Sequence, residues 1–168
     1  QLVDDATREL YSELFLKQGI SSNRITMIPR KPTQAEHLAV YNQVDIGLDP
    51  FPYNGTTTSC EAIWMGVPVI TLRGARHVSR VTASILTRVG LTELIATSES
   101  DYIDRGVRLA SDTDRLRELR TTTRQRMMNS PLCNFKAFAQ SVEAAYREMW
   151  INWCSGGHGQ KIVANQQR

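Results

Sequence analysis

Amphipathic helix patterns alternate with short apolar runs along most of the sequence, and this alternation is what most constrains the fold. The apolar runs RITMIP, VDIGLDP, VPVITL and ELIA predict strands, and VPVITL is apolar enough to be buried on both faces. Helix patterns separate these runs, with connections of about two to six residues. The alternation predicts an α/β fold, in which a Rossmann-like parallel sheet is flanked by helices.

The helix patterns and the polar end of the chain define the expected domain. The helices are predicted over residues 4–19, 33–43, 56–66, 79–90, 100–109, 112–128 and 135–153. One folded lobe is predicted over residues 1–154, followed by a flexible tail over residues 155–168. The last helix is expected to pack across a domain surface through aromatic side chains at helical spacing, namely Phe135, Phe138, Tyr146 and Trp150.

Composition and charge exclude several classes of protein. The chain has 168 residues, of which 41% are hydrophobic, and its net charge of +3 is dispersed along the sequence. Dispersed charge argues against nonspecific nucleic-acid binding. Cys60, Cys133 and Cys154 are widely spaced, which argues against a disulfide framework or a zinc site. Because no apolar run approaches the ~20 residues of a membrane span and no signal-peptide pattern is present, we expect a cytoplasmic protein.

The segment DPFPYNGTTTSCE connects the predicted strand VDIGL to the next helix. In parallel α/β folds, ligands bind outside the carboxyl ends of the strands, where this segment begins. Asn54 and Gly55 form a turn, and Thr56, Thr57 and Thr58 follow at the helix start. Unpaired N–H groups and the helix dipole favour an anion at such a position. The pattern therefore indicates a phosphate site.

Glu61 shares a helix face with Thr57 and Thr58 through its i+4 and i+3 spacing. A carboxylate there could accept hydrogen bonds from a diol such as that of a ribose. A phosphate at the helix start and a ribose one turn along would together match the layout of a bound nucleotide diphosphate. The spacing of Thr58 and Glu61 is equally that of a capping box, which needs no ligand. The sequence contains neither GxGxxG nor GxxxxGK[ST], so a dinucleotide fingerprint and a P-loop are not supported.

The longer string VDIGLDPFPYNGTTTSCEAIWMGVPVITLRGARHVSRVTASIL, continued by VGLTELIA, closely resembles the C-terminal catalytic lobe of the O-linked N-acetylglucosamine transferase and SPINDLY family of glycosyltransferases. The resemblance covers the chain from about Asn23 to Trp150, and DPFPYNGTTT is its most specific part. It implies the second lobe of a GT-B fold, which holds a nucleotide sugar against an N-terminal lobe. It also implies tetratricopeptide repeats in the full-length protein, although no repeat of about 34 residues occurs here.

The resemblance implies roles for individual residues. Glu61 takes the position of an acidic residue that binds ribose, and His37 matches a histidine near the nucleoside. Catalytic residues are expected in the N-terminal lobe and are not assigned in this chain. The residues expected to contact the donor diphosphate are Asn54, Gly55, Thr56, Thr57 and Thr58. Thr57 and Thr58 are expected to make the main contacts.

Departures from the animal members of the family leave the donor open. Thr56 stands where those enzymes have a histidine, and Gln34 and Val40 replace basic residues that grip uridine. At these positions the sequence resembles the bacterial and SPINDLY-like branch of the family more than the animal enzymes. Since SPINDLY relatives transfer fucose from a GDP donor, both UDP-GlcNAc and GDP-fucose stay possible donors.

Basic residues follow the strand VPVITL at the expected ligand edge. Arg73, His77 and Arg80 could neutralise phosphate or contact the acceptor. A solvated loop with a helix cap at Ser79 accounts for them equally well.

Other side chains near this edge are assigned no chemistry. Trp64 and Met65 are expected in the core, on the inner side of their helix. Asp45 and Asp49 flank a strand, and neither is assigned as a general base, although Asp49 could orient the loop through a turn.

The implied reaction is an inverting, metal-independent transfer of a hexosyl group from a nucleotide sugar, UDP-GlcNAc first, to Ser or Thr of a protein acceptor. A helix terminus can stabilise the leaving diphosphate without a metal, so no cofactor is expected. Without the other lobe, the chain should bind nucleotide weakly and catalyse poorly or not at all. Neither nucleic acid nor membrane is an expected partner. The alternatives are a GDP-fucose-dependent protein O-fucosyltransferase, a UDP-sugar epimerase and a noncatalytic nucleotide-binding or scaffolding module.

Overall fold

A computed structural model describes residues 4–156. The chain divides into two compact units, Gln1–Asp45 and Ile46–Arg168. Within the described range, no helix is both long enough and apolar enough to cross a bilayer. The predicted tail lies outside the described residues except for Ser155 and Gly156, which follow the last helix.

The described residues of the first unit form the α-helices α1 (Asp5–Lys17) and α2 (Gln34–Ala39). A capping box starts α2, since the Thr33 hydroxyl accepts from the Glu36 amide and the Glu36 carboxylate accepts from the Thr33 amide, each at 3.2 Å. The predicted strand RITMIP is wrong, because residues 24–29 pair with no strand in the described part of the chain. The backbone is extended at Ile25, but a β-ladder also needs a neighbour to accept its hydrogen bonds.

The second unit is a three-stranded parallel sheet covered by helices. Its strands β1 (Gly47–Leu48), β2 (Val69–Leu72) and β3 (Ile95–Ala96) lie in the order β1-β2-β3. The register places Gly47 opposite Val69 and Thr71 opposite Ile95. The helices of this unit are α3 (Thr57–Trp64), α4 (Val81–Val89), α5 (Glu99–Ser111), α6 (Thr113–Met128) and α7 (Phe135–Cys154).

The core of this unit lies between β2 and its helices. Helices α3, α4 and α5 contact β2, and α6 packs on all three of them. The largest apolar side chains that are fully buried are Ile63, Val67, Ile70, Leu86, Leu91 and Leu119. This arrangement confirms the predicted α/β class, and VPVITL is the buried central strand that its composition predicts.

Two burial predictions need correction. The strand in VDIGLDP is confined to Gly47–Leu48, and Leu48 is 62% exposed, so this strand is not buried as predicted. Trp64 is 37% exposed, because the inner face of α3 is formed by Ser59, Ala62 and Ile63. The guanidinium of Arg124 instead lies 5.3 Å from the Trp64 ring centroid.

The aromatic face of α7 is exposed. Phe135 is 76% exposed, and Phe138, Tyr146 and Trp150 are exposed as well. No described part of the chain buries these four side chains, so the predicted packing across a domain surface is not formed among residues 4–156.

Candidate functional site

Two loops meet at the carboxyl edge of the sheet. Residues 49–56 connect β1 to α3, and residues 73–80 connect β2 to α4. Parallel pairing of β1 with β2 brings both loops to the same edge. They are joined directly, because the Asn54 amide donates to the Val78 carbonyl oxygen at 2.9 Å. The sequence-predicted threonines and basic residues are therefore neighbours.

Asp49 fixes the first loop to the sheet. This residue is only 3% exposed, and one carboxylate oxygen accepts from the Gly55 amide at 2.7 Å. The other oxygen accepts from the hydroxyl of Thr71, on β2, at 2.6 Å. Hydrogen bonds to a carboxylate are roughly twice as strong as those between neutral groups. Asp49 thus orients the loop, as the sequence analysis considered possible. Its partner on the strand, Thr71, was not predicted.

Tyr102, on α5, supports the same residue from the other side. Its hydroxyl donates to the Asp49 carbonyl oxygen at 3.1 Å, and its ring meets Phe51 edge to face at 5.5 Å. Burial, together with the nearby Asp49 charge, raises the pKa of Tyr102 above its usual value. The phenol therefore stays protonated and donating well into alkaline solution.

Gly55 lies close to the side chains of several neighbouring residues. Its carbonyl oxygen accepts from the Thr82 hydroxyl at 3.0 Å, and that hydroxyl lies 3.0 Å from the Ser59 hydroxyl. A Cβ atom at Gly55 would lie 2.5 Å from Ser59 Oγ and 2.7 Å from Thr58 Oγ1. Since real Cβ atoms do not approach so closely, only glycine fits here without a shift of its neighbours.

The start of α3 is open. Thr56 occupies the N-cap position, and its side chain makes no capping hydrogen bond. The Cys60 amide donates to the Thr56 carbonyl oxygen at 3.0 Å, so the amides of residues 57–59 precede the first bond of this helix. Thr56, Thr57 and Thr58 are all exposed. The capping-box interpretation of Thr58 and Glu61 is wrong, because Thr58 lies inside the helix and not at its N-cap.

A cavity of about 1000 Å³ opens beside this helix start. Its lining combines Thr56 with Arg73, His77 and Arg80 from the second loop, so the structure brings these sequence-predicted residues together. Arg88 also lines it, and this residue was not predicted because its position on α4 carries no local signal.

Cys60 and Ser79 also lie at this edge of the sheet. Cys60, on α3, lines the cavity, and burial raises the pKa of its thiol. The proposed cap at Ser79 is wrong. Arg80 occupies the N-cap of α4, and Ser79 Oγ donates to the Arg76 carbonyl oxygen at 3.0 Å.

The two predicted nucleoside contacts lie on different helices. Glu61 is half-buried on α3, one turn from the helix start. His37 lies on α2 in the first unit, where its ring meets Tyr41 edge to face at 5.8 Å. Their roles in ribose and nucleoside binding stay predictions, as do the diphosphate contacts of residues 54–58.

The α/β fold and the carboxyl edge of its sheet indicate the class of protein. A parallel α/β lobe with an open helix start beside a cationic cavity is built like the lobes that hold anionic ligands at the carboxyl edge of their sheet. The sequence profile of Glycosyl transferase family 41 matches residues 6–142, and the chain belongs to this family.

Relatives and solved structures agree with this assignment. The chain is 41% identical over 152 residues to a protein of Arabidopsis thaliana named probable UDP-N-acetylglucosamine–peptide N-acetylglucosaminyltransferase SPINDLY, covering 90% of this chain and 17% of the relative. It is 40% identical to the protein of that name from Hordeum vulgare, covering 90% of this chain and 16% of the relative.

A solved structure supports the fold as well. A mutant of the Thermobaculum terrenum O-GlcNAc transferase superposes with a TM-score of 0.85 at 36% identity, covering 92% of this chain and 29% of that one. The predicted family and the Rossmann-like lobe of a GT-B glycosyltransferase are thereby confirmed. The chain spans about a sixth of the length of the curated relatives it matches.

Proposed function

We propose that this chain is the donor-binding lobe of a transferase that moves N-acetylglucosamine from UDP-GlcNAc to Ser or Thr hydroxyls of proteins. The observation that carries the proposal is the open, uncapped start of α3, which lies beside the cavity lined by Arg73, His77 and Arg80. The names of the relatives, which specify UDP-N-acetylglucosamine and a peptide, support the donor and the acceptor.

The chemistry follows from where negative charge grows. In an inverting transfer, the acceptor hydroxyl attacks the anomeric carbon while the bond from that carbon to the diphosphate breaks, and UDP leaves with the bonding electron pair. In this proposal the helix start, with its partial positive charge, stabilises that leaving charge together with the threonine hydroxyls. We propose that this set of donors acts without a metal ion. The base that accepts the hydroxyl proton is not assigned to this chain.

The hydrogen bonds of Asp49 and Thr82 preorganise the loop before α3. Asp49 and Thr82 hold both the amide and the carbonyl group of Gly55, immediately before the threonines. The loop therefore needs little reordering when a diphosphate binds, which lowers the entropic cost of binding. Because the chain spans about a sixth of its relatives, we propose that catalysis needs segments beyond the matched region and that this chain alone binds the donor but transfers little.

A nucleotide panel tests the proposal. Titration calorimetry of the 168-residue chain with UDP, UDP-GlcNAc, GDP and GDP-fucose should give heat with the two uridine ligands and less with the guanosine ligands. A preference for GDP-fucose would indicate a protein O-fucosyltransferase instead. No heat with any ligand, from a sample shown by circular dichroism to be folded, would favour the noncatalytic scaffold. Conversion of UDP-GlcNAc to an isomer without acceptor would indicate an epimerase.

A further inference from the structure

The cavity beside Thr56 continues along one face of α4, starting from Arg80, which is also one of the residues considered for the donor. Arg80, Ser84, Thr87 and Arg88 line this part. Their spacing of i, i+4, i+7 and i+8 places them on a single helix face. The apolar lining of the same cavity comes from Val81, Ala83, Ile85 and Ile95. The surface therefore combines an apolar floor with cations at both ends, and we refer to it, from Arg80 to Arg88, as the α4 groove.

The positive charge of the α4 groove is uncompensated. Within the described part of the chain, no carboxylate lines the cavity, whereas Arg73, Arg80 and Arg88 all do. Among residues 4–156, the side chains of these three arginines form no hydrogen bond and no ion pair. Cations without an internal partner are available to an external anion, and the absence of carboxylates from the lining reduces the repulsion that such an anion meets.

Three arginines elsewhere in the second unit are paired with carboxylates. Arg105 pairs with Asp101 at 2.8 Å, and Arg126 lies 3.6 Å from Glu118. Arg115 pairs with both Glu93 and Glu118. These paired arginines all lie outside the lining of the cavity.

The length of the α4 groove selects the kind of anion. Arg88 lies eight positions after Arg80, which corresponds to a rise of about 12 Å along a helix. This rise refers to the backbone, so a single phosphate would reach both guanidinium groups only if the two side chains converged on it. An extended peptide rises about 3.3 Å per residue, so about four residues would span it and present alternate side chains to the groove. Two carboxylates on such a segment match the two terminal cations.

We infer that the α4 groove binds an extended acidic segment of the protein acceptor, with carboxylate side chains at Arg80 and Arg88. The inference rests on the proposed function, which makes the acceptor a protein, and it adds the chemistry of that acceptor. Guanidinium groups bind carboxylates bidentately, and the apolar floor accommodates the intervening side chains. Ser84, midway along the groove, supplies a hydroxyl for the peptide backbone.

The test compares two charge reversals of equal size. Fluorescence anisotropy measures the binding of a labelled octapeptide containing Asp and Glu, and of the matched peptide containing Asn and Gln, to the 168-residue chain. Arg88→Glu removes a groove cation, and Arg117→Glu removes one from α6 that is 72% exposed and paired with Asp114. Both substitutions change the net charge by the same amount, so a nonspecific effect would be equal in both.

The expected result is selective. The acidic peptide should bind the wild type about tenfold tighter than the amide peptide at low salt, Arg88→Glu should abolish that preference, and Arg117→Glu should keep it. Arg88→Gln, which removes the charge without reversing it, gives the same answer should the reversal prevent folding. UDP affinity should be unchanged in both Arg88 variants.

Three results would overturn the inference. These are equal binding of the two peptides, equal losses in Arg88→Glu and Arg117→Glu, or a loss of UDP affinity in Arg88→Gln, which would assign the groove to the donor. Absence of UDP binding to the wild type would instead contradict the proposed function, so the two failures are distinguishable.

Discussion

The carboxylate of Asp49 accepts a hydrogen bond from the hydroxyl of Thr71 at 2.6 Å, across 22 positions of the sequence. Thr71 lies on the buried central strand, and the second carboxylate oxygen of Asp49 accepts from the Gly55 amide. The bond therefore transmits the rigidity of the sheet to the loop that precedes the candidate phosphate site. The position of that loop is determined by the folded core and not by the ligand.

Removing the Thr71 hydroxyl should weaken both the fold and the site. In Thr71→Val, the buried carboxylate loses one of its two donors, which costs about 1–3 kcal/mol in the free energy of unfolding. Urea denaturation measures this loss, and calorimetry should show weaker UDP binding under conditions where the variant is folded. Thr123→Val is the matched control, because the buried Thr123 hydroxyl has no partner among the described residues. The control should be neutral or stabilising, with unchanged UDP affinity. Equal UDP binding by both variants would contradict the role of Asp49.

A methyl group at Gly55 should disrupt the loop. The new Cβ atom of Gly55→Ala would lie 2.5 Å from Ser59 Oγ, so the loop or α3 must shift, at about 1–3 kcal/mol. Gly106→Ala makes the same substitution within α5, where the nearest atom to the new Cβ is Ile70 Cδ1 at 4.0 Å. That variant should gain about 0.5–1 kcal/mol, since alanine is the better helix former. Thermal unfolding measures both changes, and a shift of the same sign in the two variants would contradict the argument.

The hydroxyl of Thr57 should matter for the ligand and not for the fold. Thr57 is exposed at the first position of α3, so Thr57→Val should leave the melting temperature nearly unchanged and weaken UDP binding about threefold to tenfold. Thr113→Val places the same substitution at the first position of α6, away from the cavity. Calorimetry with UDP should detect no change in this second variant, and parallel losses in both would point to a general effect on helix starts.

Acid should remove the contribution of Asp101 to stability. A hydrogen bond from Arg105, followed by one from the Thr97 amide, lowers the pKa of Asp101 below its usual 3.8. A carboxyl group with a lowered folded-state pKa stabilises the fold above its unfolded pKa, and this stability is lost as the pH falls through the folded value. The difference in urea midpoint between the wild type and Asp101→Asn should therefore be largest at neutral pH and shrink below about pH 4. A constant difference between neutral and acidic pH would contradict the electrostatic origin.

Local patterns predicted the helices well because the interactions that define them are local. The helix that ends at Gly66 and the one that ends at Gly90 were both located from sequence, and both glycines have positive φ, at 82° and 75°. Strands were predicted less well. RITMIP has the composition of a strand but no pairing partner among the described residues, and strand formation depends on that partner.

Burial was harder still to predict from the sequence. Trp64 is apolar and helical, yet its position around the α3 axis leaves it under Arg124 and outside the core. The rotation of a helix against its neighbours is set by all the side chains of its face, so composition at one position does not decide it.

The order of the helices, the parallel α/β class and the threonine-rich helix start were readable from the linear chain, because periodicity and turn residues act over a few positions. The resemblance to the glycosyltransferase family rested on one such continuous string. The tertiary structure alone decided that Asp49 joins Thr71 and Tyr102, and that Arg88 lines the same cavity as Thr56. These relationships connect residues tens of positions apart, and such contacts exist only once the sheet has placed its loops at one edge.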